Sequence, residues 1–288
     1  MHAADLTLPV EPGVDLALTT FTPADPPTRV VIVSSGTGYA RRFYRGLAED
    51  LCARGAYVVT YDFRGVAESA TPDLLRVADL PDWGRDLDAV IRHAHARHPG
   101  LPIGHIGHSA GGHIIAFSTE AHRVQKHVFV AVGAGTLWQH FVSRWPLELY
   151  FWWILGPLSL ARHGHLARAG GWAGAPLRAR VFRTWRRWSH RDRYYAADVD
   201  TWRTTHAVPS PTHPIESWVF TDDGISTPRA ARTILACFPD APTALHLVAP
   251  TDIDRSRIDH DGAFRAKSVL WDRWWDALCE VESLGGGA

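Results

Sequence analysis

Cysteine is scarce: three in 288 residues, Cys52, Cys237 and Cys279. An odd number spaced this widely makes no disulfide framework, and each stands in an apolar, helix-like context suited to a small buried hydrophobe. An excess of either charge is also lacking. Lys+Arg and Asp+Glu each number 30, so no basic field points to nucleic acid. The start, Met1-His2-Ala3-Ala4-Asp5-Leu6, lacks a charged segment followed by an apolar run. That argues against a secretory signal and makes the cytoplasm the expected compartment. The apolar run Leu147 to Ala161, interrupted by Glu148, is too short to span a bilayer. With 46% apolar and 21% charged residues, the composition is that of a folded globular chain, long enough for one large domain or a domain with an insertion.

Strand and helix signals alternate through the first half. An opening hairpin with Val14, Leu16 and Leu18 on one face is followed by Arg29-Val-Val-Ile-Val-Ser34. Such an unbroken aliphatic run is expected of a strand buried on both faces of a parallel sheet. Residues 41–54 read as a helix, Ala56 to Tyr61 as a strand, 82–98 as an amphipathic helix and His127 to Val132 as another buried strand. This order implies a parallel, doubly wound sheet with right-handed crossovers. The pattern breaks at about 137–206, which is rich in tryptophan (Trp138, Trp145, Trp152, Trp153, Trp185, Trp188) and in arginine. That segment is expected to be a helical cap, dividing an α/β core made of 1–136 and 207–288. Alternation resumes with a strand at 215–220, a helix at 228–237, a last strand at 244–248 and a closing helix near 265–283. Gly285-Gly286-Gly287 reads as a frayed tail.

Within the core, the apolar stretch ending at His105-Ile106 runs into Gly107-His108-Ser109-Ala110-Gly111, and Ile114-Ile115-Ala116-Phe117 follows at once. This is G-x-S-x-G between a strand and a helix. Glycines are needed there because a serine on a tight, strained turn projects its hydroxyl clear of the sheet, where bulkier neighbours would collide. The helix start behind it offers backbone N–H groups and positive dipole character to a developing oxyanion. An activated serine needs a histidine base and usually an acid to orient it. The loop Thr221-Asp222-Asp223-Gly224 follows a buried strand, and Ile258-Asp259-His260-Asp261-Gly262 lies between the last strand and the closing helix. The order serine, acid, histidine is the one such a fold uses.

These marks, together with the turn Tyr61-Asp62-Phe63-Arg64-Gly65-Val66-Ala67-Glu68-Ser69 and the loop Asp222-Asp223-Gly224-Ile225-Ser226-Thr227-Pro228, make the chain resemble the α/β-hydrolase superfamily over about residues 28–283. Arg42-Phe43-Tyr44, Thr184-Trp185-Arg186-Arg187-Trp188 and Phe220-Thr221-Asp222-Asp223 resemble a bacterial branch of serine hydrolases of unassigned substrate. The resemblance implies Ser109 as nucleophile, His260 as general base and then acid, and Asp223 as the orienting carboxylate with Asp222 as fallback. It also implies an oxyanion hole from the N–H groups of Ala110 and Thr37, where one donor is worth about 3–4 kcal/mol. Two departures stand out: Ser35-Gly36 replaces the usual His-Gly before the second donor, and Ala67 stands where the family commonly has glycine.

The expected activity is hydrolysis of an ester, thioester or related acyl bond through an acyl-enzyme, with a small acyl substrate, anionic if cap arginines face the cleft. Acyl transfer by the same triad, or a binding protein with an idle hydrolase fold, are the alternatives. No cofactor is implied. His93 and His95 do not share a helix face, and with His98 they complete no familiar metal spacing. His105, His108 and His113 read as packing against the elbow, and Asp62 with Arg64 as a paired turn. The run at 147–161 suits a cap helix lining an acyl pocket, a buried cap core, or a helix lying in a lipid interface.

Overall fold

The strand Arg29–Ser34 (β3) sets the plan of the molecule. In the computed structural model, which describes residues 1–71, 78–168, 172 and 174–280, Val30 and Ile32 enter one apolar cluster while Val31 and Val33 enter another. Successive side chains of a strand point to opposite faces, so each face of this sheet carries its own core. Ala56–Tyr61 (β4) divides in the same way, Tyr57 and Val59 on one side and Val58 on the other. The eight strands run in the order β1-β2-β4-β3-β5-β6-β9-β10. His2–Glu11 (β1) and Val14–Thr22 (β2) form the antiparallel hairpin at one edge. Ile103–His108 (β5), Val124–Val130 (β6), Ile215–Phe220 (β9) and Thr243–Val248 (β10) extend the sheet in parallel with β3 and β4.

Arg45–Ala53 (α1) packs on one face with the closing helix. Asp82–Arg97 (α2) packs on the other. The helix after the elbow is shorter than its apolar sequence suggests: Ala110–His113 (α3) passes directly into a single 3-10 turn, Ile114–Phe117. The chain turns there because Asp88 of α2 receives the Ser118 hydroxyl at 2.5 Å and the amides of Thr119 and Glu120 at 3.0 Å.

Between β6 and β9 the chain forms a group of helices: Trp145–Tyr150 (α4), a π turn at Phe151–Leu155, Gly156–His163 (α5), Ala179–Ser189 (α6) and Ala196–His206 (α7). A small ribbon joins His165–Leu166 (β7) to Leu177–Arg178 (β8). Phe151, Trp152, Phe182 and Trp185 interlock at ring-centre distances of 4.7–5.8 Å. Gly156 lets α5 approach this cluster, since a Cβ there would lie 2.0 Å from the Phe182 ring. Pro228–Leu235 (α8), the short Gly262–Arg265 (α9) and Val269–Cys279 (α10) complete the core. The glycine tail and anything beyond residue 280 lie outside the described residues. Among those residues no helix is long and apolar enough to cross a membrane.

The Asp62 turn departs from expectation. Asp62 does not pair with Arg64. It takes the Arg41 guanidinium at 2.7 Å and the Arg41 amide at 2.6 Å, and Arg64 goes to Asp86 at 2.7 Å. All four side chains are buried, and a buried charge needs a partner that completes its hydrogen bonds. Two neighbours in one turn point apart, so each finds its partner on a different element. Ala67 holds a left-handed φ of 44°, the conformation for which glycine is favoured.

Candidate active site

The elbow at Ser109 is built by contacts that leave no room. Its backbone has φ 48° and ψ −116°, a strained combination for a residue with a side chain, costing on the order of 1–3 kcal/mol. The Ser109 amide is fixed to the Val130 carbonyl at 3.0 Å. A Cβ on Gly107 would meet the Gly112 nitrogen at 2.6 Å, and one on Gly111 the Ser34 carbonyl oxygen at 2.2 Å. These are backbone atoms that cannot swing aside. The glycines are therefore required by the crossing of β5, β3 and α3, and the turn lifts Ser109 above the end of the sheet, where ligands of parallel sheets bind.

His260 and Asp223 arrive there from separate loops. Asp223 Oδ2 lies 2.7 Å from His260 Nδ1, and Asp223 is itself buried and receives the Ile225 amide at 2.8 Å. The neighbouring Asp222 instead accepts the amides of Ile258 at 2.8 Å and Asp259 at 3.0 Å. One aspartate thus grips the imidazole and the other grips the loop that carries it. Burial works to lower the His260 pKa, but the charge and hydrogen bond of Asp223 outweigh it and hold the ring above its ordinary value. The reciprocal pull brings Asp223 below the usual carboxylate range despite its burial.

Ser109, His260, Ala110 and Thr37 line one small cavity of about 40 Å³. Ser109 and His260 face this space without a direct hydrogen bond among the described residues, a contact that commonly tightens only when substrate binds. Ala110 is the first residue of α3, whose opening N–H groups have no intrahelical acceptor. Gly135, Trp185 and Ile225 also border a second, larger cavity of about 210 Å³, walled by Leu147, Phe151, Leu155 and Trp172. The cavity at the serine has room for a reacting group, and the one beside it for an apolar chain. Of the cap arginines only Arg144 reaches either lining among the described residues, and its Nε lies 3.3 Å from Glu148. The cleft is aromatic rather than basic, so these linings do not support an anionic substrate.

His108 does more than pack. It is fully buried, with Nε2 2.9 Å from the His260 carbonyl oxygen and Nδ1 2.7 Å from the Tyr44 hydroxyl. The Gly36 amide donates to the same hydroxyl at 2.8 Å. Burial, with the charge of His260 adding to it, pushes the His108 pKa down to about 3, so the ring is neutral and carries one N–H. A carbonyl only accepts, which assigns that hydrogen to Nε2 and leaves Nδ1 to accept from Tyr44. The chain Gly36 to Tyr44 to His108 to His260 ties the Thr37 loop to the backbone of the candidate base. Tyr44 carried no chemical signal in the sequence beyond its place in Arg42-Phe43-Tyr44. His105 is likewise buried, bonded to Ser34 Oγ at 2.9 Å and in contact with His127 Nδ1 at 3.2 Å. His113 meets the Tyr195 hydroxyl at 3.3 Å. Among the described residues no group of three His, Cys, Asp or Glu is placed to hold a metal.

Residues 25–163 match the model of a family described as serine aminopeptidase, S33. No curated protein matches the chain. Solved structures do. A soluble variant of monoglyceride lipase from Saccharomyces cerevisiae, in complex with a substrate analogue, is 13% identical with a TM-score of 0.65 over 95% of each chain. The α/β hydrolase GrgF from Penicillium is 18% identical with a TM-score of 0.59, covering 96% of this chain and 98% of that one. A thioesterase domain of the curacin biosynthetic pathway is 11% identical with a TM-score of 0.58, covering 97% and 99%. At such identities the likeness is one of fold.

Proposed function

We propose that this chain, an α/β hydrolase by its fold and by the family model that residues 25–163 match, cleaves an ester or thioester of an apolar acyl group through a Ser109 acyl-enzyme. The observation that carries this reading is the 2.7 Å contact of Asp223 with His260 beside a cavity that Ser109 and His260 both line. In the reaction, His260 Nε2 removes the Ser109 proton as Oγ attacks the acyl carbon. Asp223 keeps the other ring nitrogen protonated and steadies the imidazolium that forms. The oxyanion is taken by the amides of Ala110 and Thr37. His260 then protonates the leaving group, activates water for attack on the acyl-enzyme, and returns its proton to Ser109. The acyl chain occupies the larger apolar cavity walled by Leu147, Phe151, Leu155 and Trp172.

A fluorophosphonate probe and a series of p-nitrophenyl and CoA esters of rising chain length test the proposal. Wild-type protein should label at Ser109 and prefer a medium or long acyl chain, and Ser109→Ala should lose labelling and turnover with an unchanged melting temperature. Unlabelled, inactive wild-type protein that a ligand nonetheless stabilises against heat would make the chain a binding module and end the proposal.

A further inference from the structure

Among the described residues twelve large apolar side chains are strongly exposed, and eight of them fall in 141–158. Val142 is 69% exposed, Leu158 65% and Trp153 57%. Scattered exposed hydrophobes are ordinary, whereas a contiguous patch marks a contact surface. Four of the eight are ordered along one helix face. Leu147, Tyr150, Ile154 and Leu158 follow one another at helical spacing, and all point to solvent, while Glu148, Trp152, Gly156 and Ser159 are buried beneath them. The helix turns its few polar side chains, Glu148 and Ser159, inward and shows an apolar face to solvent.

The charge around this stripe has one sign. Glu148 is the only acid between residues 145 and 163, and it is buried against His140 at 2.8 Å. Arg162, one turn beyond Leu158, is exposed, and the Arg186 guanidinium sits 5.1 Å over the exposed Trp153 ring. Arg183 lies one turn before Arg186 on α6 and is also exposed. Neither Arg162 nor Arg183 has a carboxylate partner among the described residues. A second copy of the chain on this face would bring like charges together with no acid between them. A surface of lipid phosphates over acyl chains matches both the arginines and the stripe.

We propose that the outer face of 141–158 docks on an anionic bilayer, with the stripe in the headgroup–acyl boundary and Arg162, Arg183 and Arg186 on phosphates. Leu147 and Tyr150 belong both to the stripe and to the wall of the 210 Å³ cavity. The docked face thus opens the acyl cavity toward the lipid. Docking so placed makes a membrane-derived acyl ester the substrate, a step that rests on the function proposed above, whereas the docking itself does not require catalysis.

Sedimentation with vesicles tests it. The full chain should pellet with vesicles of phosphatidylcholine mixed with phosphatidylglycerol and much less with phosphatidylcholine alone. Trp153→Ser with Leu158→Ser should lose binding to both. Arg162→Glu and Arg183→Glu should each weaken binding to the anionic vesicles by about fivefold or more, the effect of a residue worth about 1 kcal/mol at such a surface. All of these side chains are exposed and outside both cavities, so melting temperature and fluorophosphonate labelling should stay at wild-type levels. Equal recovery in the supernatant with and without anionic vesicles would overturn the docking, as would a dimer in light scattering that Trp153→Ser dissolves. Labelled protein that ignores vesicles refutes docking and leaves the hydrolase reading; vesicle-bound protein that never labels does the reverse.

Discussion

Replacing His108 by its two partial isosteres separates the two ends of its hydrogen-bond chain. The ring has no exposure and makes two contacts, one to the His260 carbonyl at 2.9 Å and one to the Tyr44 hydroxyl at 2.7 Å. A glutamine amide can reach the place of Nε2 and donate to His260, leaving Tyr44 without its acceptor. An asparagine reaches only the place of Nδ1, keeping Tyr44 satisfied and leaving the His260 carbonyl unpaired. Either loss orphans one buried polar group, which costs about 1–3 kcal/mol. His108→Gln and His108→Asn should therefore lose comparable stability in urea denaturation, read as a lower midpoint at constant slope. Their turnover should not be comparable. Only asparagine releases the backbone that carries His260, so His108→Asn should lower kcat about tenfold, equivalent to about 1.4 kcal/mol, with little change in KM, while His108→Gln stays near wild type. Equal kcat in the two variants at equal stability would refute a positioning role and leave His108 as packing alone.

The two adjacent aspartates should separate in a similar way. Asp223→Asn removes the charge on His260 and should cut kcat by roughly 10³–10⁴-fold, the scale seen when a triad carboxylate is neutralised. Asp222→Asn should mainly lower stability, by about 1–3 kcal/mol, because it weakens the acceptor for Ile258 and Asp259. The same enzyme assay gives a pH test. His260 must be neutral to act as a base, and Asp223 holds its pKa above the ordinary 6.5. Thus kcat/KM should rise with pH through a midpoint above 6.5 and level off beyond it. A midpoint below 6.5 would show that burial, not Asp223, governs the ring.

Much of the fold was legible because its cause is local. The run Val30–Val33 is apolar at every position since both faces of its strand are covered, and only a central strand of a layered sheet needs that. Gly107 announced the elbow because the clash it avoids, with Gly112, lies within the strand–turn–helix itself, whereas Gly111 answers to Ser34 on the neighbouring strand. The small size of the helix after the elbow was not legible. It ends where Asp88, more than twenty residues upstream, captures the turn at Ser118 and Thr119. The pairing of Asp62 with Arg64 failed for the same reason, since their true partners, Arg41 and Asp86, lie about twenty residues away in sequence.

What the sequence by itself determined is an inventory in order: buried strands, a strained serine turn, an acid loop and a histidine loop, each recognisable because neighbouring residues create its chemistry. Only the tertiary structure decided which of two adjacent aspartates meets His260, that His108 and Tyr44 join the Thr37 loop to the His260 backbone, and which side of the 147–158 helix faces water. Those are matters of direction. In a helix whose few polar residues, Glu148 and Ser159, turn inward, periodicity has no polar face to mark the outside, and the choice falls to whatever packs on the buried side, here the aromatic cluster of Trp152, Phe182 and Trp185.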